Sequence, residues 1–519
     1  MPPDGVLDLT PTLRRLAARR LAALDCMDPA GAQALQLRAL LRRARRTRFG
    51  RAHGFAAIDS VAAFQACIPV RGYEAFWREW WQPAYPVLRD VTWPGRIPYF
   101  AYSSGTTGDT TKRIPVSRAM LRANRRAALL TLYFHLANRP DSRVLAGTSF
   151  LLGGSTALER LAPGVHGGDL SGIAAVEVPR WARPRTFPPP DLALIPQWDH
   201  KIAALVPASL REDVRSLSGT PSWMLPFFDR LAAAHPDRPR RLAAFFPDLE
   251  LLVHGGVAFA PYRDLFAQWL AGGHAETREV YAASEGFIAV ADRGPDQGMR
   301  LLLDNGLFYE FVPADRADDP EAPRHWIANA ETGVNYALIV SSNAGLWAYR
   351  LGDTVTLLTL DPPRLLITGR TAYMLSAFGE HLIGREIDDA IAEAAAASAT
   401  GVADYAVGVI YPHPGEPRGG HLFIVELAGG TADPAAFAAT LDAALKRQNE
   451  DYTAHRAGDV AMLPPRVHFA ASGTFAEWMR RRGRLGGQNK VPRIINDAML
   501  FADLRGFAGE SVVKAGKEE

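Results

Sequence analysis

The chain has 519 residues, 48% of them hydrophobic and 22% charged, with a formal charge of +3. That length exceeds a single compact core, so two or three domains of ordinary globular composition are expected. So small a charge excess gives no sign of a polyanionic partner, and two cysteines without a C-x-x-C pair, with no H-E-x-x-H among 13 histidines, exclude the zinc and redox motifs. No secretory signal and no apolar run of about 18 residues is visible. A cytoplasmic protein is therefore expected, acting as a monomer on small molecules, with no nucleic-acid or membrane partner.

In chain order, the first 60 residues read as helices, with "AQALQLRALLRRA" carrying apolar residues at helical spacing. The basic runs from Arg14 and Leu41 lie in those helices and read as solvated faces. "RIPYFAY" is a strand, and a helix follows Ser117. Strands are predicted at "RVLAGTSFLL" from Arg143, "LELLVHGG" from Leu249, "LFYEFVP" from Leu307, "NYALIVSS" from Asn335 and "DTVTLLTL" from Asp353. The proline-rich "RPRTFPPPDLALIP" from Arg183 reads as a loop. Alternation of helix and strand argues for an α/β architecture. The dense strands between Leu301 and Thr368 read as an antiparallel sheet or barrel attached to the main sheet. A boundary falls near "LLITGRTAYML", dividing a large domain, 1–370, from a small α+β domain, 371–519. The small domain restarts with a helix, two strands, a helix with Asp433 as N-cap and Pro434 at its first position, a strand and a short helix, and an antiparallel sheet is expected.

Five stretches carry chemistry. In "FAYSSGTTGDTTKRIPVS", Ser103, Ser104, Thr106 and Thr107 offer hydroxyls, Gly105 and Gly108 let backbone N–H groups turn to an anion, and Lys112 adds a positive charge. The loop leaves a strand, the usual ligand side of an α/β sheet. It is neither a Walker A loop nor a G-x-G-x-x-G turn. "VHGGVAFAP" ends a strand in Gly255 and Gly256, where a flat ring can approach the backbone. "VYAASEGF" groups Tyr281, Ser284 and Glu285. "YRLGDTV" sets Asp353 after a glycine at the expected start of a strand, where a carboxylate can accept two hydrogen bonds from a ribose diol. "LGGQNKVPR" presents Lys490 in a glycine-rich loop. Singly, each has a plain reading: Asp353 opens a strand, Glu285 caps a segment, Lys490 sits on the surface.

Taken in this order, the stretches resemble those of adenylate-forming enzymes, and more closely one branch, the GH3 family of acyl acid amido synthetases. "TRFGRAHGF", "FQACIPVRGYEAF", "YEFVP", "AGLWAYRLGD" and "FGEHLIGREID" extend the likeness from about residue 30 to 495, and the Gly255–Gly256 pair is similar to bacterial members. The resemblance implies a large mixed-sheet domain with a barrel-like antiparallel part, and a small mobile α+β domain carrying Lys490. It implies ATP- and Mg²⁺-dependent activation of a carboxylic acid to an acyl-adenylate, then transfer to an amine, in most members an amino acid. Ser103, Ser104, Gly105, Thr106 and Thr107 would hold the phosphates with Lys112 close by. Gly255, Gly256 and Tyr281 would border adenine, Ser284 would touch the α-phosphate, and Glu285 would help hold Mg²⁺. Asp353 would bind ribose, Arg370 would reach the nucleotide from the hinge, and Lys490 would swing in to neutralise charge. Trp223, Phe227 and Trp347 are candidates for the acyl pocket, with a plain core role as the alternative. Transfer to CoA or a carrier-protein thiol, and a nucleotide-binding relic without catalysis, are the other functions weighed. A serine hydrolase lacks its G-x-S-x-G.

Overall fold

The computed structural model describes residues 8–103, 112–153, 157–195, 198–257, 259, 262–294, 297–317, 319–370, 374–413, 416–459, 461–482 and 491–509. The chain forms two compact units. The described residues up to Arg370, apart from Tyr262–Leu265, make the first; Tyr262–Leu265 and the described residues from Met374 on make the second.

The first unit is built on a sheet of 12 strands among the described residues. One half is parallel and runs Thr186–Phe187, Thr148–Leu152, Val214–Gly219, Leu251–Gly255 and Glu276–Ala283. At Glu276–Ala283 the character changes. The next strand, Gly286–Val290, pairs antiparallel, and so does every strand beyond it, through Met299–Leu301, Pro363–Arg370, Tyr349–Leu360, Asn335–Ser342, Leu307–Pro313 and His325–Trp326. The antiparallel part expected between Leu301 and Thr368 is thus a continuation of the main sheet. Leu307–Pro313 is buried at every position but the last, so both of its faces are covered and its sequence shows no polar alternation. On one side the helix Pro29–Ala44 sends in Gln33, whose buried amide donates to the Leu303 and Leu307 carbonyls and accepts from Tyr309 N–H.

A second sheet of four strands orders Lys112–Val116, Tyr99–Ser103, Val165–Gly168 and Glu159–Ala162. Its first two strands form a hairpin with Ser103 opposite Lys112. The helix Arg118–Asn138 follows directly. Ser117 caps it, accepting from Ala119 and Met120 N–H, and its hydroxyl donates to the Asn343 carbonyl at 2.5 Å. That bond ties the hairpin's exit to the antiparallel half of the main sheet.

Two expectations change in this unit. Of the stretch from Arg143, only Thr148–Leu152 pairs as a strand. Arg143 N–H is taken by the Glu250 carboxylate and Ala146 N–H bonds back to the Arg143 carbonyl, so these residues turn. The proline-rich loop holds short elements: a 3₁₀ turn at Arg183–Arg185, the two-residue strand Thr186–Phe187 and one helical turn at Pro190–Ala193.

The second unit has a four-stranded sheet ordered Arg466–Ala470, Gly420–Gly429, Gly401–Ile410, Ile494–Ile495. Only its central pair is antiparallel; both outer strands run parallel to their neighbours, so the sheet is mixed. The parallel outer strands arise because each is reached through helical segments. Asp433 does cap the helix Pro434–Gln448. Glu380 is fully buried and accepts from Ala377 N–H, Phe378 N–H and His421 Nε2 at 3.1, 2.7 and 2.8 Å. Burial pushes this carboxyl up, but His421 and the backbone donors outweigh burial and hold it near about 2. Among the described residues, no helix is long and apolar enough to cross a membrane.

Candidate active site

The turn between the parallel and antiparallel halves of the main sheet is Ser284–Glu285, joining Glu276–Ala283 to Gly286–Val290 in a hairpin that pairs Ala283 with Gly286. Tyr281 lies just before it, and its hydroxyl donates to Asp353 Oδ2. Both side chains are buried, at 6% and 7% exposure. Asp353 does not open its strand. It lies inside Tyr349–Leu360, after Gly352 at φ +100°. On one side, Thr354 pairs with Ala337 and Arg350 with Ile339, so Leu351, Gly352 and Asp353 face a single residue; on the other, the register slips between Thr354 and Val355. Such bulges re-aim a side chain, and here the result is a carboxylate delivered to Tyr281. Arg370 is the backbone partner of Asp353.

Glu285 is 8% exposed and stands against Tyr349. The Tyr349 hydroxyl is held protonated, its pKa raised well above the usual value by burial first and by the Glu285 charge second. Tyr73 lies next in line. Its hydroxyl accepts from Arg113 N–H at 2.9 Å, and burial pushes its pKa up to about 12. The Lys112 ammonium sits over the Tyr73 ring, 5.9 Å from its centroid, and Lys112 is itself 6% exposed. So Lys112, Tyr73, Tyr349 and Glu285 link the mouth of the Ser103–Lys112 hairpin to the Ser284–Glu285 turn. Tyr73 and Tyr349 were not singled out from the sequence. Tyr349 stands in the quoted "YRLGD", but nothing in the motif marks it as the Glu285 neighbour.

Gly255 ends its strand under tight constraint: a Cβ there would lie 2.3 Å from the Val280 carbonyl oxygen. This glycine is needed by sheet packing alone. Gly256, at φ +87°, has open space beyond Thr220 Oγ1 at 3.5 Å. Beside them His254 is buried and neutral, with burial lowering its pKa to about 3, and it stacks on Phe259 at 3.6 Å. Its Nδ1 has no hydrogen-bond partner among the described residues.

The three acyl-pocket candidates differ in exposure. Trp347 and Phe227 have no exposed surface. The Trp347 indole N–H donates to the Thr92 carbonyl at 3.0 Å, and the ring packs edge-on to Phe55. Phe227 packs edge-on to Phe150. Both are packed in the core, the plain reading given above as the alternative. Trp223 keeps 8% exposure. Ser104, Gly105, Thr106, Thr107 and Lys490 lie outside the described residues.

This set of groups fits a nucleotide with its ion. A carboxylate in a bulge, an aromatic ring, an open glycine and a buried ammonium suit ribose, base and phosphate. Among the described residues no three His, Cys, Asp or Glu side chains cluster to hold a metal. Mg²⁺ needs no such cage, since it keeps waters and takes one or two carboxylates beside substrate phosphates. Glu285 would serve as one such carboxylate.

Comparison with known proteins agrees. The GH3 family N-terminal domain matches residues 20–155, the central domain 300–370 and the C-terminal domain 385–499. Indole-3-acetic acid-amido synthetase GH3.3 of Arabidopsis thaliana is 24% identical over 263 residues, 48% of this chain and 43% of that protein. The probable indole-3-acetic acid-amido synthetase GH3.4 of Oryza sativa subsp. japonica is 26% identical over 279 residues, 50% and 44% of the two. The chain thus matches less than half the length of these curated relatives. In fold it is similar to AtGH3.15 acyl acid amido synthetase in complex with 2,4-DB, with a TM-score of 0.61, 17% identity and 96% of each chain covered. It is also similar to 2-hydroxyisobutyryl-CoA ligase in complex with 2-HIB-AMP and CoA, with a TM-score of 0.56, 18% identity and 93% and 92% covered. With its N-terminal, central and C-terminal domains all matched, and more than half of its residues among them, the chain belongs to the GH3 family.

Proposed function

We propose that the protein activates a carboxylic acid with ATP and joins the acyl group to an amine, by preference an amino acid. The observation that carries this reading is the Tyr281–Asp353 hydrogen bond beside the Ser284–Glu285 turn, which unites residues from two distant strands of one sheet. The names of the curated relatives support the amide product over a thioester.

ATP is a substrate here. The acid's carboxylate oxygen bonds to the α-phosphorus, the bond to the bridging oxygen breaks, and pyrophosphate leaves. The amine nitrogen, deprotonated from its ammonium form, then bonds to the acyl carbon and loses a second proton while keeping one as the amide N–H, and the carbon–oxygen bond to AMP breaks with its electrons going to AMP. The first step forces two anions together, so cationic groups must offset the repulsion. Lys112 supplies one such charge, and Mg²⁺, which Glu285 would hold, supplies neutralisation on the phosphates. Asp353, aimed by Tyr281, binds the ribose hydroxyls, and Ser284 faces the α-phosphate. Ser103 begins the phosphate loop continued by Ser104–Thr107, Gly255 and Gly256 border the base, and Arg370 and Lys490 reach the nucleotide from the hinge and from a small mobile domain. The acid is small and hydrophobic or aromatic, and Trp223, which of the three aromatic candidates keeps some exposure, is the favoured one for its pocket wall. The protein works in the cytoplasm as a monomer on small molecules, which its free cysteines, Cys26 and Cys67, suit.

The test is pyrophosphate release with ATP, Mg²⁺ and a panel of carboxylic acids. Release that depends on the acid, and that falls about 100-fold or more in Glu285→Gln, is expected. No release with any acid leaves the nucleotide-binding relic as the better reading. Release that needs a thiol and ignores amines selects the CoA or carrier-protein alternative.

A further inference from the structure

The activation reading gives no role to one buried lysine of the first unit, although that lysine lies close to the parallel half of its main sheet. Lys201, on the helix Trp198–Ser209, is only 2% exposed. Its ammonium donates to the Gly153 carbonyl at 3.1 Å. Burial lowers its pKa to about 8, and the nearby Asp169 charge works against that shift. A lysine head is costly to bury and is rarely buried without a purpose. As a purely structural pair it would add little, because well-packed apolar residues usually serve stability as well or better.

The location argues for a ligand. Gly153 directly follows Thr148–Leu152, at the carboxyl end of the parallel half, which is the binding side of such sheets. The register carries that edge across Leu152, Gly219 and His254 to the Gly255–Gly256 turn. Asp169 follows the strand Val165–Gly168 and precedes the helix Leu170–Val176, yet its side chain does not cap that helix. Gly168 is level with Ala101, the last pair of the parallel ladder, so Asp169 directly follows the residue paired two positions before Ser103. Gly153 also abuts Ser171, two residues past Asp169, since a Cβ on Gly153 would lie 3.2 Å from the Ser171 Cβ. A cation and an anion therefore stand together between the strand that leads into the phosphate loop and the edge that leads to the nucleotide glycines. An α-amino acid carries the complementary pair of charges on neighbouring atoms.

We infer that Lys201 and Asp169 form the acceptor site, Lys201 receiving the α-carboxylate and Asp169 the α-ammonium of an amino acid; this rests on the activation reading above. The site would favour an amino acid over an amine or a thiol without a carboxylate. The chemistry selects the zwitterion; it does not name the side chain.

The experiment separates the two half-reactions in the full-length protein. Acid-dependent ATP–pyrophosphate exchange, run with indole-3-acetate, benzoate and 2-hydroxyisobutyrate, needs no acceptor. Amide formation is then followed with the L-amino acids and with their carboxamides, which keep the amine and lose the carboxylate. In Lys201→Met, kcat/KM for the amino acid is expected to fall at least tenfold more than the exchange rate, and the preference for amino acid over carboxamide is expected to disappear. Lys201→Arg should recover part of that preference. Asp169→Asn should raise KM for both acceptors, because both keep the ammonium. Lys446→Met, on a surface helix of the second unit, is the control and should change neither step. An unchanged amino-acid-to-carboxamide ratio in Lys201→Met overturns the proposal. If that variant does not fold, an unchanged ratio in Lys201→Arg together with an unchanged acceptor KM in Asp169→Asn overturns it. Absence of exchange in the unmutated protein overturns the activation reading itself, and is a different outcome.

Discussion

Replacing Tyr281 by Phe removes one oxygen atom and leaves the ring. That oxygen is the donor to Asp353, and both residues are more than nine-tenths buried. A hydrogen bond to a charged group is worth about 1.5–3 kcal/mol. Without it, Asp353 loses the contact that aims it, and the ribose contact weakens by a comparable amount. At about 1.4 kcal/mol per factor of ten, KM for ATP is expected to rise about 10- to 100-fold. The rate at saturating ATP is expected to stay within about threefold, because the groups nearer the α-phosphate are intact. The assay is pyrophosphate release against ATP concentration at saturating acid. Tyr309→Phe is the matched control. Tyr309 is fully buried, its hydroxyl donates to the Ile288 and Leu302 carbonyls, and its loss should cost stability and leave KM for ATP unchanged. A folded Tyr281→Phe protein with an unaltered KM for ATP refutes the assignment of Asp353 to the ribose.

The first unit also contains a buried polar network with a defined pH response. Burial pushes Glu250 up, but His135, Ser142, Arg143 N–H and Arg215 outweigh it and hold the carboxyl at about 2; burial pushes His135 down, but Glu250 and Glu276 outweigh it and raise its pKa. Glu250 therefore stabilises fully above its ordinary value of about 4.3 and loses that contribution as pH falls toward its folded pKa, whereas His135 stabilises fully below about 6.5 and loses its contribution as pH rises through its raised pKa. Thermal midpoints should be highest between about pH 5 and 6 for this network, and Glu250→Gln should cost about 1–3 kcal/mol and flatten the acid limb; a variant with the same acid limb contradicts this. Trp347→Phe should lower stability, through the lost bond to Thr92 and the lost volume, by about 1–3 kcal/mol, read as a lower melting temperature, while KM for the acid stays the same. A selective rise in that KM would return Trp347 to the acyl pocket. Gly255→Ala should destabilise strongly, since its Cβ meets backbone at 2.3 Å. Gly256→Ala should cost only the strain of a positive φ, about 1–2 kcal/mol, and calorimetry of the two variants should rank them in that order.

The strands Leu307–Pro313 and Asn335–Ser342 were legible to the residue, because each is an apolar run between turn signals. The bound at Arg143 was not. The turn there is held by Glu250, more than one hundred positions away, and no local pattern encodes a distant carboxylate. Asp353 stood out through its motif, yet the bulge that aims it depends on pairing with Ala337 and Ile339. The mixed sheet of the second unit escaped for a related reason: strand order follows from which connections cross over, and only the central hairpin was local. Lys201 was invisible. A lysine on a helix reads as solvated, and its burial is created by Gly153 and the elements around it.

The most direct test of the central claim follows the acid's own oxygen. With a carboxylic acid labelled at both oxygens with ¹⁸O, activation at the α-phosphorus and attack of the amine on the acyl carbon leave one label in AMP, one in the amide and none in pyrophosphate. Mass spectrometry of AMP should therefore show a single ¹⁸O per amide formed. Unlabelled AMP, or label in inorganic phosphate, contradicts the acyl-adenylate and with it the roles given to Asp353, Glu285 and Lys112.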